Sequence, residues 1–236
     1  LTDPHERREA VGEAFSLPAM IKARDLTFEA LRRIAADIAP GMTEAQAHDL
    51  AKGVLEGMAM ERLWHKSLIR FGPGTLDTFH APMAPDRALQ ARDIFFVDLG
   101  VVWDGHEGDA GDTFVVGDDP EMLACAEAAR TLWHEVSARW REGDASGEAL
   151  YDFAVRRADA MGWRLNWDVK GHRVSDFPHA IYKAGALGDL EVCPQTGLWI
   201  LEIQISHPSR PFGAFFEDLL ISEAHSPSQA LSDSHI

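Results

Sequence analysis

The chain has 236 residues, 46% of them hydrophobic, enough for a sizeable core in one large domain spanning residues 1–236. Its 22 Lys and Arg against 38 Asp and Glu leave a formal net charge of −16, a field that disfavours nucleic acid and anionic membrane as partners and attracts cations. Two cysteines, Cys125 and Cys193, stand in no metal-like or redox spacing, so no disulfide framework is expected, and no apolar stretch reaches transmembrane length. The opening LTDPHERREAVGEAF carries charge where a signal peptide needs its apolar core, so a cytoplasmic protein is the expectation; with Leu1 in the first position, a short leader stays open.

Met20, Ala23, Leu26, Ala30, Leu31, Ile34 and Ile38 recur at helical spacing and predict a helix that stops at Pro40-Gly41. Thr43 and Gln46 form a capping-box pattern ahead of a second helix carrying Ala47, Leu50, Val54, Leu55 and Met58. Between about 67 and 117 the pattern becomes strand-like: SLIRFG, then FFVDLGVVW, then TFVVG, punctuated by Gly72-Pro73-Gly74 and by Asp104-Gly105. Asp119-Pro120 opens a long helix with the stripe Met122, Leu123, Ala126, Ala129, Trp133, Val136 and Trp140, and another helix runs from about Ser146 to Met161. Strands return in LWILEIQIS and GAFFEDLLIS, and the core, about 18–222, gives way to a polar tail, 223–236, expected to be weakly ordered. Helices then strands, twice over, predict an α+β domain of two similar halves.

Three residues break this pattern in the same way. Asp98 interrupts DIFFVDLGVVW, Glu202 interrupts LWILEIQI, and Glu217 interrupts GAFFEDLLI, each a carboxylate within an apolar strand. Burying an ionised carboxylate costs several kcal/mol or more unless it is paired or coordinates a metal. A two-residue turn at Asp104-Gly105 would pair 98 with 111, which makes Asp109 a diagonal neighbour of Asp98 on the same face. The run KGHRVSDFPH adds His172 and His179. A mixed oxygen and imidazole shell suits Mn, Fe, Co or Zn better than Mg or Ca. Asp98, Asp109, Glu202 and Glu217 carry four negative charges, which two divalent ions balance and one does not. Paired ions about 3.5–4 Å apart support hydrolytic chemistry.

VDLGVVWDGHEGDAGDTFVVG, GHRVSDFPH, LEIQI and FFED resemble, in order, the metal-binding motifs of the pita-bread metallopeptidases, which include methionine aminopeptidases, Xaa-Pro aminopeptidases and prolidases. The resemblance covers about 18–222. It implies a curved antiparallel sheet covered by helices, with Asp98, Asp109, His172, Glu202 and Glu217 as metal ligands. By the same resemblance His179, and His80 eighteen residues before Asp98, contact the substrate near the scissile peptide, and Glu202 helps move the proton of the attacking water. The implied activity is hydrolysis of the first peptide bond of short peptides, of aminopeptidase or dipeptidase type, with Xaa-Pro substrates open and a homodimer among the assemblies open to it. Gly171-His172-Arg173-Val174-Ser175 stands where the family usually has Gly-His-Gly-Ile-Gly, Ile203 where Pro usually follows the fourth ligand, and Phe215 where Xaa-Pro-directed members often carry Arg.

Simpler readings exist for single residues. Asp98 could pair with an Arg, and a lone Glu on a half-exposed strand faces water. His106 and Glu107 are expected to be exposed in the turn, Asp112 to be solvated or to stand beside the ligands, and Trp64, Trp103, Trp163, Trp167 and Trp199 to be mostly core, with one or two lining a pocket. Arg173 is expected either to meet a substrate carboxylate or to pair with Asp176. At the level of function, a non-catalytic peptide-binding module and a creatinase-like hydrolase of a small C–N substrate are the alternatives.

Overall fold

Strand alternation organises the protein around one antiparallel sheet, seen in a computed structural model that describes residues 7–178 and 184–222. The strands are β1 (Arg62–Leu63), β2 (Leu68–Phe71), β3 (Asp93–Trp103), β4 (His106–Val116), β5 (Arg164–Leu165), β6 (His172–Arg173), β7 (Trp199–Ser206) and β8 (Gly213–Leu219). They run in the order β1-β3-β4-β8-β7-β5, with β2 also pairing β3 and β6 also pairing β7. Among the described residues these strands are joined by the α-helices α1 (Leu17–Asp37), α2 (Glu44–Gly57), α3 (Pro120–Arg141) and α4 (Gly147–Ala160). A helix pair followed by a hairpin, α1 and α2 with β3–β4, then α3 and α4 with β7–β8, gives the two similar halves of the α+β fold.

The predicted start signals act as predicted. Thr43 Oγ1 accepts from the Gln46 N–H at 3.2 Å while Gln46 Oε1 accepts from the Thr43 N–H at 2.9 Å, closing the capping box of α2. Asp119 caps α3 by accepting from the N–H groups of Glu121 and Met122. At the β3–β4 turn, Asp104 and Gly105 both have positive φ, 50° and 68°, the conformation a two-residue hairpin needs, and Trp103 pairs with His106. The TFVVG segment continues β4 and does not form a strand of its own.

Alternation then sorts the side chains. Phe95, Val97, Leu99 and Val101 of β3 point into a core with Ala23, Leu31, Ile34, Ala47 and Leu55 of α1 and α2. Leu201, Ile203 and Ile205 of β7, with Ala214 and Phe216 of β8, point into a second core with Leu132, Trp133, Val136, Leu150 and Ala154 of α3 and α4. The helices therefore cover one face, and the even-numbered residues of β3 and β7 and the odd-numbered residues of β8 meet on the other. Gly108 lets α1 lie close on β4, since a Cβ there would run into the Ala23 carbonyl. Among the described residues no helix is long and apolar enough to cross a membrane. The tail 223–236 lies outside the described residues.

The exposure expected for His106 and Glu107 is not found. His106 is 4% and Glu107 1% exposed. The Nδ1–H of His106 donates to the Asp104 carbonyl and its Nε2 accepts from the Ser16 N–H, while Glu107 Oε2 accepts from the Ser175 N–H. Segments remote in sequence cover the turn and supply partners that turn composition does not reveal.

Candidate metal centre

Strand register builds the site. Leu68 pairs with Asp98, Asp98 with Gly111, Gly111 with Glu217, and Glu217 with Glu202, so one row crosses β2, β3, β4, β8 and β7. Three of its five members are carboxylates on the face away from the helices. Gly111 leaves their space clear, because a Cβ there would sit 2.9 Å from Glu217 Oε1. One row further on, the same face carries Asp109 opposite Gly100, and His172 opposite Ile200. Asp109 is thus the diagonal neighbour of Asp98 that the hairpin geometry predicts. Gly171, at φ 68°, lets β6 come up against β7: its N–H donates to Glu202 Oε2 at 2.8 Å, and a side chain there would run into the Ile200 carbonyl.

Four of the five sequence-predicted donors, Asp98, His172, Glu202 and Glu217, line one cavity, and Asp109 lies within donor reach of three of them, though the five do not form one cluster. The donor atoms of Asp109, His172 and Glu217 lie within 4.8 Å of one another, and so do those of His65, Asp98 and Asp109. Two donor groups therefore share Asp109. His172 Nε2 is 3.1 Å from Asp109 Oδ2. Glu202 stands beside these groups, its Oε2 turned to Gly171. Asp98 Oδ1, Asp109 Oδ2 and Glu217 Oε1 are buried and have no hydrogen-bond partner among the described residues. Buried carboxylate oxygens without donors are what divalent cations complete, so the donor set fits such ions.

The electrostatics agree. Burial drives Asp98 up to about 7, with His65 opposing and Asp109 and Glu202 adding to the rise. Burial, then the charges of Asp109, Asp98 and Glu202, lift Glu217 well above the usual carboxylate range, and burial also raises Glu202. Asp109 goes the other way, to about 2, because the imidazoles of His172 and His65 beside it outweigh its burial. Burial disfavours charge on the two imidazoles as well, yet Asp98 and Asp109 raise His65 to about 9, and Asp109 and Glu202 raise His172 to about 10. The cluster holds protons wherever positive charge is not otherwise supplied.

Above this floor is a cavity of about 560 Å³, within the size range of small-ligand sites. Leu68, Phe96 and Phe215 give it an apolar side, and Asp77 and Asp168 stand on its wall. His80 lines it as well, exposed, with its ring edge-on to Phe79 at 5.6 Å. His179 lies outside the described residues. Trp64 is the tryptophan that lines the cavity; its ring packs 5.4 Å from that of His172, and its Nε1–H donates to the Gly108 carbonyl. Asp112 stands aside from the carboxylate row and accepts from Arg130 Nε at 2.8 Å.

Two outcomes were not foreseen. Arg173 is 2% exposed and points away from His172 to the opposite face, where it donates to the carbonyls of Arg8, Ala10 and Val174. It clamps the N-terminal segment and does not reach the cavity. Asp176 accepts from the Gly12 N–H and the Ser175 hydroxyl. The second is His65, absent from the sequence reading. The chain itself holds one trace of it, Gly100, a glycine inside an apolar strand, which marks a close approach. The imidazole of His65 fills that space.

A sheet floor on which carboxylates and imidazoles from six strand and connector segments converge beneath an open cavity defines a class: proteins with a candidate metal centre, here two donor groups that share Asp109. The chain belongs to metallopeptidase family M24, which matches residues 18–222. It is 28% identical over 130 residues to a methionine aminopeptidase from Helicobacter pylori, an alignment covering 52% of this chain and 50% of that one. The chain thus spans half the length of that curated relative. In fold it is similar to the prolidase from Pyrococcus horikoshii OT3, with a TM-score of 0.72 and 19% identity over 93% of this chain and 62% of the other. It is also similar to a methionine aminopeptidase from Thermotoga maritima, with a TM-score of 0.68 and 19% identity over 88% and 93% of the two chains.

Proposed function

We propose that this protein is a two-cation exopeptidase that removes the first residue of short peptides with a free N-terminus. The observation that carries this reading is the pair of donor groups sharing Asp109, with three buried carboxylate oxygens left without hydrogen-bond partners at the floor of an open cavity. Asp98, Asp109, His172, Glu202 and Glu217 would hold two divalent ions of the Mn, Fe, Co or Zn type. Bound there, such ions supply a Lewis acid for the scissile carbonyl and make a water acidic near neutral pH.

The chain's own residues do the rest. Glu202 is anchored through Oε2 by the Gly171 N–H, which leaves Oε1 to accept a proton from the attacking water and return it to the departing amine. His80, which lines the cavity, would donate to the substrate carbonyl, and His179 is assigned the matching role from the resemblance of its motif. Leu68, Phe96 and Phe215 offer an apolar seat for the first side chain, while Asp77 and Asp168 favour a cationic amino terminus over a free carboxylate.

The test is a library of dipeptides and longer peptides, each free and N-acetylated, offered to protein reloaded with Mn, Co, Fe or Zn. Release of the first residue from free peptides alone is expected. Cleavage that ignores acetylation, or no cleavage with both equivalents of metal bound, overturns the reading.

A further inference from the structure

We propose that His65 is a sixth protein ligand of this centre, adding a nitrogen donor to the cation position formed by Asp98 and Asp109. The proposal rests on the two-cation reading and extends it to a residue that none of the predicted motifs contains.

Geometry carries it. His65 Nε2 is 3.3 Å from Asp109 Oδ1 and 3.6 Å from Asp98 Oδ1. Two donors on one ion with bonds of about 2.0–2.2 Å sit roughly 3.0–3.5 Å apart, close to both separations. The other ring nitrogen is already committed. Nδ1 lies 2.8 Å from the Lys66 carbonyl, which can only accept, so Nδ1 carries a proton and Nε2 is the atom left for the carboxylates. An N–H given to a backbone carbonyl is the usual support of a metal-ligating imidazole, since it fixes the tautomer and the ring plane. A lone pair aimed at two carboxylate oxygens is repulsive unless a cation stands between them.

The surroundings hold the ring where it is. Trp64 packs edge-on against it at 4.4 Å between centroids, and Phe79 closes the other side at 6.0 Å. Beneath it, Gly100 has no side chain, and any Cβ there would run into the imidazole. Asp98 Oδ1, which faces Nε2, is among the buried oxygens with no hydrogen-bond partner among the described residues. The two positions then differ in kind: Asp109, His172 and Glu217 around one, and His65, Asp98 and Asp109 around the other, each with one imidazole. The alternative occupant of the space at Nε2 is a proton, with His65 acting as a counter-ion and not as a ligand.

Cobalt(II) separates the two. Metal-depleted full chain is titrated with Co(II), followed by calorimetry, visible absorption and proton NMR of the strongly shifted imidazole N–H signals. Wild type should bind two equivalents and show two such N–H signals, from His65 and His172. His65→Ala should lose one signal, change the absorption of one equivalent only, and weaken that equivalent by roughly tenfold to hundredfold or more. Gly100→Ala, which displaces the ring without removing it, should do the same. Melting of the metal-free forms checks that each variant is folded, and if His65→Ala is not, Gly100→Ala and the wild-type N–H count decide. Two equivalents bound with one shifted N–H signal, or variants that match wild type in affinity and absorption, overturn the sixth ligand and leave the two-cation reading standing. A wild type that binds no cobalt overturns both.

Discussion

Removing metal should leave a protein whose stability falls as pH rises through the neutral range, and the size of the fall follows from the cluster. A carboxyl whose folded pKa exceeds its unfolded value binds its proton more tightly in the native state, so stability is lost between the two values. Asp98 goes from 3.8 to about 7, chiefly through burial. Between pH about 5.5 and about 7 this amounts to about 2 kcal/mol. An imidazole with a raised pKa also stabilises the fold while protonated and loses that contribution as pH climbs toward the folded value. For His65, moved from 6.5 to about 9 by Asp98 and Asp109 against its burial, the interval from pH 6.5 to about 8 removes about 2 kcal/mol more. These two groups alone give about 4 kcal/mol, a large part of a typical stability that corresponds to roughly 8–16 °C for a chain of this size, and His172, Glu202 and Glu217 shift in the same sense. Metal-loaded protein keeps its carboxylates ionised and gains about 2.7 kcal/mol per site at a hundredfold excess over Kd. Circular dichroism melts at pH about 5.5 and about 8, with and without chelator, should show the gap widening at the higher pH. A metal-free melting temperature that is flat or rises over this interval would refute the reasoning, because the carboxylates could not then be sharing one buried site.

Other changes separate the roles of individual residues. Glu202→Gln should keep the fold and lower turnover by about 10²–10⁴, and rates from the metal-reloaded variant check this; wild-type turnover would remove Glu202 from proton transfer. His80→Ala and His179→Ala should each leave metal content unchanged while lowering kcat by roughly 10²–10³, measured by elemental analysis beside steady-state rates. Arg173→Met should destabilise the protein by about 2–4 kcal/mol, because the carbonyls of Arg8, Ala10 and Val174 lose a charged donor. Denaturant unfolding reads that loss, and the relative cleavage of dipeptides and longer peptides should not change.

Period and turn chemistry made much of the site readable in advance. Asp98, Glu202 and Glu217 stood out because strand alternation is strict and a carboxylate in an apolar run has to be compensated. Asp109 followed because Asp104-Gly105 fixes the hairpin register. What escaped was set by segments far apart in the chain. His106 is covered by Ser16 and Arg173 is engaged by Arg8 and Ala10, contacts spanning 90, 165 and 163 residues. Composition near a residue says nothing about such partners. His65 escaped for a related reason: it lies in the connection between β1 and β2, outside any periodic pattern, and its counterpart Gly100 is silent unless one asks what fills its space.

The row Leu68–Asp98–Gly111–Glu217–Glu202 crosses a seam. Its first part belongs to β2 and the β3–β4 hairpin and its last to β7–β8, and the two meet where Gly111 pairs with Glu217 and where Thr113 Oγ1 donates to the Phe215 carbonyl across 102 residues of chain. Each hairpin closes over a short loop and can form early, whereas the seam needs a long-range closure and belongs late in folding. Until it closes, Asp109 is on one side and His172, Glu202 and Glu217 on the other, so the position formed by Asp109, His172 and Glu217 does not exist in the partly folded chain. Metal should therefore act as a latch: it should slow unfolding strongly while leaving the folding rate almost unchanged.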